Sequence, residues 1–279
     1  MAHPTTIPAA TRIAPSRGWA SLNLGELWRF RELVYFLIWR DVKVRYKQTL
    51  LGVGWAILQP FLTMVVFSLF FGELAGLSSG GVPYPIFSFT ALLPWQFFEN
   101  GVTKAGQSLV MGRNLVTKVY FPRLAMPLAA VVAGLVDFAL AGLVLVGLMA
   151  YYGVRPTPAI WTLPLFLALA LITALGVSFL LSALNVAYRD VGYLIPFLMR
   201  LWFFSTPIVY AASEVPEAYR TLYALNPMVG VVEGFRWAAL GLGDPPSAMV
   251  AVSALAAVAL LVVGALYFRR MERTFADVV

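Results

Sequence analysis

Residues 127–151 read Pro127-Leu-Ala-Ala-Val-Val-Ala-Gly-Leu-Val-Asp137-Phe-Ala-Leu-Ala-Gly-Leu-Val-Leu-Val-Gly-Leu-Met-Ala-Tyr151. The run is 25 residues long and holds one charged residue, Asp137. As a helix it extends about 37 Å at a rise of about 1.5 Å per residue, more than the roughly 30 Å of a bilayer's hydrocarbon. A surface helix of a soluble domain keeps one polar face, and this run has none. It reads as a membrane span.

Segments of the same kind lie on both sides of it: Val53–Phe71, Ile86–Val110, Trp161–Ala187, Tyr193–Ala211 and Ala248–Phe268. The fold class expected is therefore an all-α integral membrane protein with six transmembrane helices. Ile86–Val110 is the least clean, since it carries Pro94, Glu99, Asn100 and Lys104, and a break or a polar lining is expected there. Composition agrees with the class. The 279 residues are 61% hydrophobic and 12% charged, with a mean hydropathy of +0.82, whereas soluble domains hold about 45–50% apolar and about 25% charged residues.

An even number of spans puts both termini on one side, and the basic residues choose it. With a cytoplasmic N-terminus, 15 of the 20 Lys and Arg residues fall in cytoplasmic segments. Three fall outside (Arg155, Arg220 and Arg236), and Lys104 and Arg200 lie within spans. Cytoplasmic loops of membrane proteins carry such an excess, so both termini are placed in the cytoplasm. Topology accounts for the net charge of +7, and no nucleic-acid partner is needed. There is no cysteine, and the one histidine, His3, lies in a Pro/Thr/Ala-rich start. These counts exclude disulfides, thiolate metal sites and a histidine relay. Residues 1–23 lack a signal peptide's uninterrupted apolar core and are expected to form an uncleaved, disordered tail.

The expected domains are that tail, a cytoplasmic interface helix over residues 24–48, and a transmembrane domain over 49–279. The apolar stretch Leu33–Trp39 is too short to cross and is flanked by Arg29, Arg40, Lys43, Arg45 and Lys47. That pattern suits an amphipathic helix in the membrane interface, serving as a plain anchor or as a docking element for a soluble partner. In 111–126, Asn114 is a candidate cap for a short helix to about Tyr120, stopped by Pro122, with a simple spacer as the alternative. Residues 212–247 are too apolar for an aqueous loop. Helical character over Pro216–Leu225 and Met228–Leu240, separated by Asn226-Pro227, predicts re-entrant half-helices between spans five and six. Gly72-x-x-x-Gly76 lies at a membrane edge, where the small-residue pattern says little about packing.

A nucleotide site is not found. Gly101-Val-Thr-Lys-Ala-Gly106-Gln107-Ser108 has Gln107 where a phosphate loop needs its lysine, and no strand precedes it. No external acid-x-acid cluster offers the carboxylate pair of a glycosyl-transferring or hydrolysing enzyme. Four ionisable residues lie near mid-span: Glu99, Lys104, Asp137 and Arg200. Each is costly in lipid and faces protein or water. Structural pairing, for example Asp137 with Arg200, stands against a proton path or substrate contact. Trp95, Phe97, Phe98 and Trp202, with Phe203 and Phe204, are interfacial or packing aromatics, or else stacking surfaces for sugar rings.

The stretch Arg40-Asp-Val-Lys-Val-Arg-Tyr-Lys-Gln-Thr-Leu-Leu-Gly-Val-Gly-Trp-Ala-Ile-Leu-Gln-Pro60 resembles the start of ABC-2 type permeases of polysaccharide export. The likeness continues through Leu93-Pro-Trp-Gln-Phe-Phe98, Asn114-Leu-Val-Thr-Lys-Val-Tyr-Phe-Pro122, Asn185-Val-Ala-Tyr-Arg-Asp190 and Ala224-Leu-Asn-Pro227, from about residue 30 to the C-terminus. It is similar in particular to the O-antigen lipopolysaccharide branch, with teichoic acid and capsule permeases as cousins. The resemblance implies a homodimer in the bacterial inner membrane, two copies of a separate ATPase subunit holding ATP and Mg²⁺, and a glycan or lipid-linked polysaccharide as substrate. By the same resemblance, Arg40, Lys43, Asn114, Lys118, Tyr120, Arg189 and Asp190 face the ATPase. Trp95, Phe97, Phe98 and Trp202 are channel candidates, and no catalytic or metal-binding residue is implied. The readings from other classes are a self-contained proton-coupled carrier, with Asp137 or Glu99 titrating, and a membrane glycosyltransferase.

Overall fold

A computed structural model describes residues 24–47, 52–243, 245, 248–273 and 275. The expected tail over 1–23 and residue 48 of the interface segment lie outside the described residues. Among those described, the architecture is helical throughout: α1 (Leu24–Arg29), α2 (Arg31–Lys47), α3 (Gly54–Phe67), α4 (Tyr84–Met111), α5 (Arg113–Lys118), α6 (Ala125–Tyr152), α7 (Leu163–Ala187), α8 (Val191–Phe204), α9 (Glu217–Ala224), α10 (Pro227–Leu240) and α11 (Ala248–Met271). A π-helical stretch, Ser68–Leu74, prolongs α3, and a 3₁₀ turn, Pro158–Thr162, leads into α7.

Four stretches are long and apolar enough to cross a membrane: Gly54–Leu74, Ala125–Tyr152, Pro158–Ala187 and Ala248–Met271. The other two expected spans differ for separate reasons. Helix α4 has 28 residues and is about 42 Å long at the usual rise. It is the central helix, packed by α3, α6, α7, α8 and α10. Lys104 is its only exposed residue between Tyr84 and Leu109. A helix walled by protein has little need of an apolar surface, so its polar residues are tolerated. Pro94 lies inside it without ending it; the expected break does not occur. Helix α8 has only 14 residues, about 21 Å, and the chain from Ser205 to Ala211 leaves the helix.

Two apolar cores hold the bundle. The larger gathers α4, α6, α7, α8, α10 and α11, with Phe89, Trp95, Phe98, Phe166 and Phe235 among its largest members. The smaller lies toward the ends expected to be cytoplasmic and joins Leu37 to Leu109, Val116, Phe121, Ala125, Ala129, Phe179 and Phe268. Helices α7 and α11 meet where Gly176 faces Gly264: a Cβ on Gly176 would stand 2.6 Å from the Leu261 nitrogen, and one on Gly264 would collide with the Gly176 carbonyl oxygen. Small residues permit such backbone contact in membranes, where packing rather than the hydrophobic effect joins helices.

Candidate functional site

Three polar assemblies bear on function: one at the end of the bundle expected to be cytoplasmic, one within the bundle and one around the half-helices. At the first, α1, the link between α5 and α6, and the end of α11 converge. Tyr120 Oη donates to Glu26 Oε1 at 3.1 Å. Arg269 lies 3.7 Å from Glu26 Oε2 and 2.7 Å from Glu272 Oε2. Glu272 Oε1 accepts from the Arg123 backbone N–H at 2.9 Å, and the Arg123 guanidinium donates to the Glu272 carbonyl. The bond to Glu26, more than the nearby charge, raises the Tyr120 phenol above its ordinary pKa.

The residues expected to face an ATPase divide around this assembly. Lys43, Asn114, Lys118, Arg189 and Asp190 are exposed, whereas Arg40 is paired to Asp41 at 2.8 Å. Asn114 is not the cap of α5. That helix starts at Arg113 after Gly112, so Asn114 is its second residue, and the helix ends at Lys118 because Val119 is extended. Helix α2 does not lie free of the bundle: it runs along α6. Leu37 is buried while Tyr35, Phe36 and Trp39 point outward.

Within the bundle, the suggested pairing of Asp137 with Arg200 does not form. Asp137 instead receives both of its partners from the last turn of α2: Arg45 Nη1 donates to Oδ2, and Tyr46 Oη donates to Oδ1. An unpaired aspartate at this depth costs on the order of 2.5–3.5 kcal/mol on insertion scales, and the arginine neutralises it. Arg45, Tyr46 and Asp137 border a cavity of about 230 Å³, also lined by Gln96, Asn100 and Lys104. Glu99 accepts from the Trp95 indole at 3.0 Å. Arg200 is exposed on α8.

Three of the four aromatic channel candidates belong to the core of the chain, and Trp202 packs against it. Trp95, Phe97 and Phe98 are buried. Trp95 meets Phe98 and Phe203 at 5.5 Å, and Phe98 meets Trp202 at 5.0 Å. Packing holds Trp95 and Phe98 there, while Phe97 also lines the cavity beside Asp137. Half-buried Trp202 donates to Asn226 Oδ1 at 2.7 Å.

That bond leads to the third assembly. The expected half-helices are present as α9 and α10, separated at Asn226. The Asn226 side chain caps α10 by accepting from the Met228 N–H at 3.0 Å, and its amide donates to Ser205 O and Thr206 Oγ1 at 2.8 and 3.0 Å. Helix α10 is inserted among α4, α7 and α11, and Arg236, counted with the cations outside the spans, is buried. Its guanidinium donates to the Ile208 and Tyr210 carbonyls at 2.8 and 3.1 Å and to Glu233 at 3.1 Å. The Tyr84 hydroxyl donates to the intervening Val209 carbonyl at 2.8 Å. The backbone carbonyls freed where α8 unwinds thus find donors, as buried non-helical chain requires. Sequence reasoning missed Arg236, Tyr84, Glu26, Arg269 and Glu272. The one available signal was an arginine inside an apolar 14-residue helix.

Comparison with known proteins follows the same outline. A family model described as ABC-2 type transporter matches residues 32–240. The O-antigen export system permease protein RfbA of Myxococcus xanthus is 34% identical over 214 residues, covering 76% of this chain and 81% of its own length. A Klebsiella pneumoniae protein of the same name is 28% identical over 258 residues, covering 92% and 97%. The polysialic acid transport protein KpsM of Escherichia coli is 22% identical over 203 residues, covering 71% and 77%. The matched region takes in α2 and α3, the central α4 and the half-helix α10, and with these relatives and its apolar helices the chain is a multi-pass membrane protein that belongs to the ABC-2 type transporter family.

Proposed function

We propose that this chain is the permease subunit of an ABC exporter that moves a polysaccharide or lipid-linked glycan, O-antigen-like in class, out across the bacterial inner membrane. The observation that carries the proposal is the similarity, over 92% of the chain, to a protein named as an O-antigen export permease. In this reading α3, α4, α6, α7, α8 and α11 form six spans with both termini cytoplasmic. Helix α8 completes its crossing through the irregular segment to Ala211.

The chain works as a homodimer. Its outward apolar residues on α3 (Trp55, Phe61, Leu62) and α8 (Tyr193, Phe197, Phe204) are available to a second copy and to lipid. ATP and Mg²⁺ are held by two copies of a separate ATPase, and this chain hydrolyses nothing. The exposed Lys43, Asn114, Lys118, Arg189 and Asp190 form the docking face, and movement there opens a passage between protomers. A proton-coupled carrier is the weaker reading, because Asp137 and Glu99, its two candidate titrating groups, are engaged by Arg45 and Trp95. Co-expression with candidate ABC ATPase subunits from the same genome tests the assignment. Recovery of a complex holding two copies of each subunit is expected. A permease that never retains the ATPase in detergent contradicts it.

A further inference from the structure

Helix α2 is fastened to the bundle at three heights. At its lower end, Glu26 of the preceding α1 meets Tyr120 and Arg269. Eight residues into the bundle-facing run of α2 from its upper contact, Leu37 enters the apolar cluster that includes Ala125 and Ala129 of α6. At the upper contact, Arg45 and Tyr46 hold Asp137. Leu37 shares its cluster with residues near the start of α6, and eight residues later Arg45 meets Asp137 farther along that helix. The two helices therefore run side by side in the same direction, and α2 ends at the depth of Asp137. That position is 12 residues beyond the start of α6, about 18 Å along that helix.

Asp137 is the only charged residue of α6. Charge neutrality alone gives no reason for it, since buried ion pairs are often replaceable by apolar residues without loss of stability. Its contacts are also more specific than neutrality requires. Both carboxylate oxygens are taken, by two consecutive residues of one other helix, and this fixes the end of α2 in both position and rotation. Lys104 lines the same cavity, yet among the described residues the bonds to Asp137 come from α2.

Resting on the permease reading above, we propose that Asp137 is a positioning residue. It clasps the end of α2 through Arg45 and Tyr46, so that displacement of the ATPase-facing helix is delivered to α6 in the middle of the bundle. The clasp sets how much transport each ATP yields, and not whether the complex assembles.

The test uses the complete permease–ATPase complex in vesicles, with a fluorescently tagged polyprenyl-linked oligosaccharide as the probe. ATP hydrolysis and probe export are measured together. Asp137→Asn and Tyr46→Phe are expected to assemble with the ATPase and hydrolyse ATP as the parent does. Export per ATP falls about tenfold or more in Asp137→Asn, which loses the charge-assisted bond, and about two- to threefold in Tyr46→Phe, which loses one bond. Asp137→Glu, which keeps the carboxylate, stays closer to the parent than Asp137→Asn. An unchanged export-to-ATP ratio in Asp137→Asn, a proportional fall of hydrolysis and export, or equal losses in the Asn and Glu variants overturns the proposal. If Asp137→Asn does not accumulate, an unchanged ratio in Tyr46→Phe overturns it. Failure of the permease reading is a different result: the parent complex itself then exports no probe with ATP.

Discussion

The guanidinium of Arg236 lies 3.7 Å from the ring centroid of Phe87, joining the half-helix α10 to the first turn of the central helix α4. The arginine is 1% exposed. The ring covers one face of the guanidinium while its edge is spent on the carbonyls of Ile208 and Tyr210 and on Glu233. Arg236→Met keeps the bulk and strips these acceptors of their donor. Removing one member of a buried charged assembly costs about 3–5 kcal/mol, so a large drop in the thermal midpoint of the detergent-purified chain is expected. Arg236→Lys cannot match the fork geometry and falls between the two; a parent-like midpoint in Arg236→Met contradicts the assignment.

Asn226 needs both ends of its amide. Its oxygen serves Trp202 and the Met228 N–H, and its nitrogen serves Ser205 and Thr206. Asn226→Asp preserves the acceptor half and loses the donor half, whereas Asn226→Ala loses the cap as well. Destabilisation of about 1 kcal/mol for the cap plus about 1–3 kcal/mol for stranded partners is expected in the alanine variant. Thermal denaturation should therefore rank parent above Asp above Ala, and a midpoint for Ala equal to the parent's would remove Asn226 from its place as the joint of the half-helices.

At the α7–α11 crossing, Gly264→Ala forces the added carbon against the Gly176 carbonyl. Overpacking of this kind costs about 1–3 kcal/mol. Gly142 and Gly147 have open space where their Cβ would stand, so Gly142→Ala and Gly147→Ala serve as controls within about 0.5 kcal/mol of the parent. Equal midpoints for all three variants would show that the crossing does not need its glycine.

Tyr120 and Lys118 are neighbours with different duties. Tyr120→Phe removes one exposed bond to Glu26, worth about 0.5 kcal/mol. The phenol's raised pKa means that the protonated form is the one favoured on folding. The difference between parent and variant should be constant below the ordinary tyrosine pKa of about 10 and vanish as pH rises through the higher folded value. Lys118→Ala leaves the thermal midpoint unchanged and weakens capture of the ATPase; undiminished capture would take Lys118 out of the docking face.

Much of this arrangement was legible in the sequence where the cause is local. Unbroken apolar length gave α6, α7 and α11 to within a few residues, and Asn226-Pro227 marked the joint between α9 and α10, because a cap followed by a proline at N1 is a signal carried by adjacent residues. What was not legible is what adjacent residues do not decide. The partner of Asp137 depends on α2 running along α6, 92 positions away in the chain. Arg236 counts among the cations outside the spans because nothing near it in sequence announces that α4 and the Ile208–Tyr210 carbonyls enclose it. Trp95, Phe97 and Phe98 look the same in sequence whether they line a passage or fill a core, and their burial follows from α4 being surrounded. Capping of α5 by Gly112 instead of Asn114 is a shift of two residues, within the usual uncertainty of helix ends.

The central claim is that this chain supplies the membrane path and another subunit supplies the energy. Its most direct measurement is export of the tagged polyprenyl-linked oligosaccharide by vesicles containing purified permease, with and without the ATPase and ATP. The account predicts export only when permease, ATPase and ATP are all present, and none when the ATPase cannot hydrolyse ATP. Export by the permease alone, driven by a proton gradient and indifferent to ATP, would contradict it.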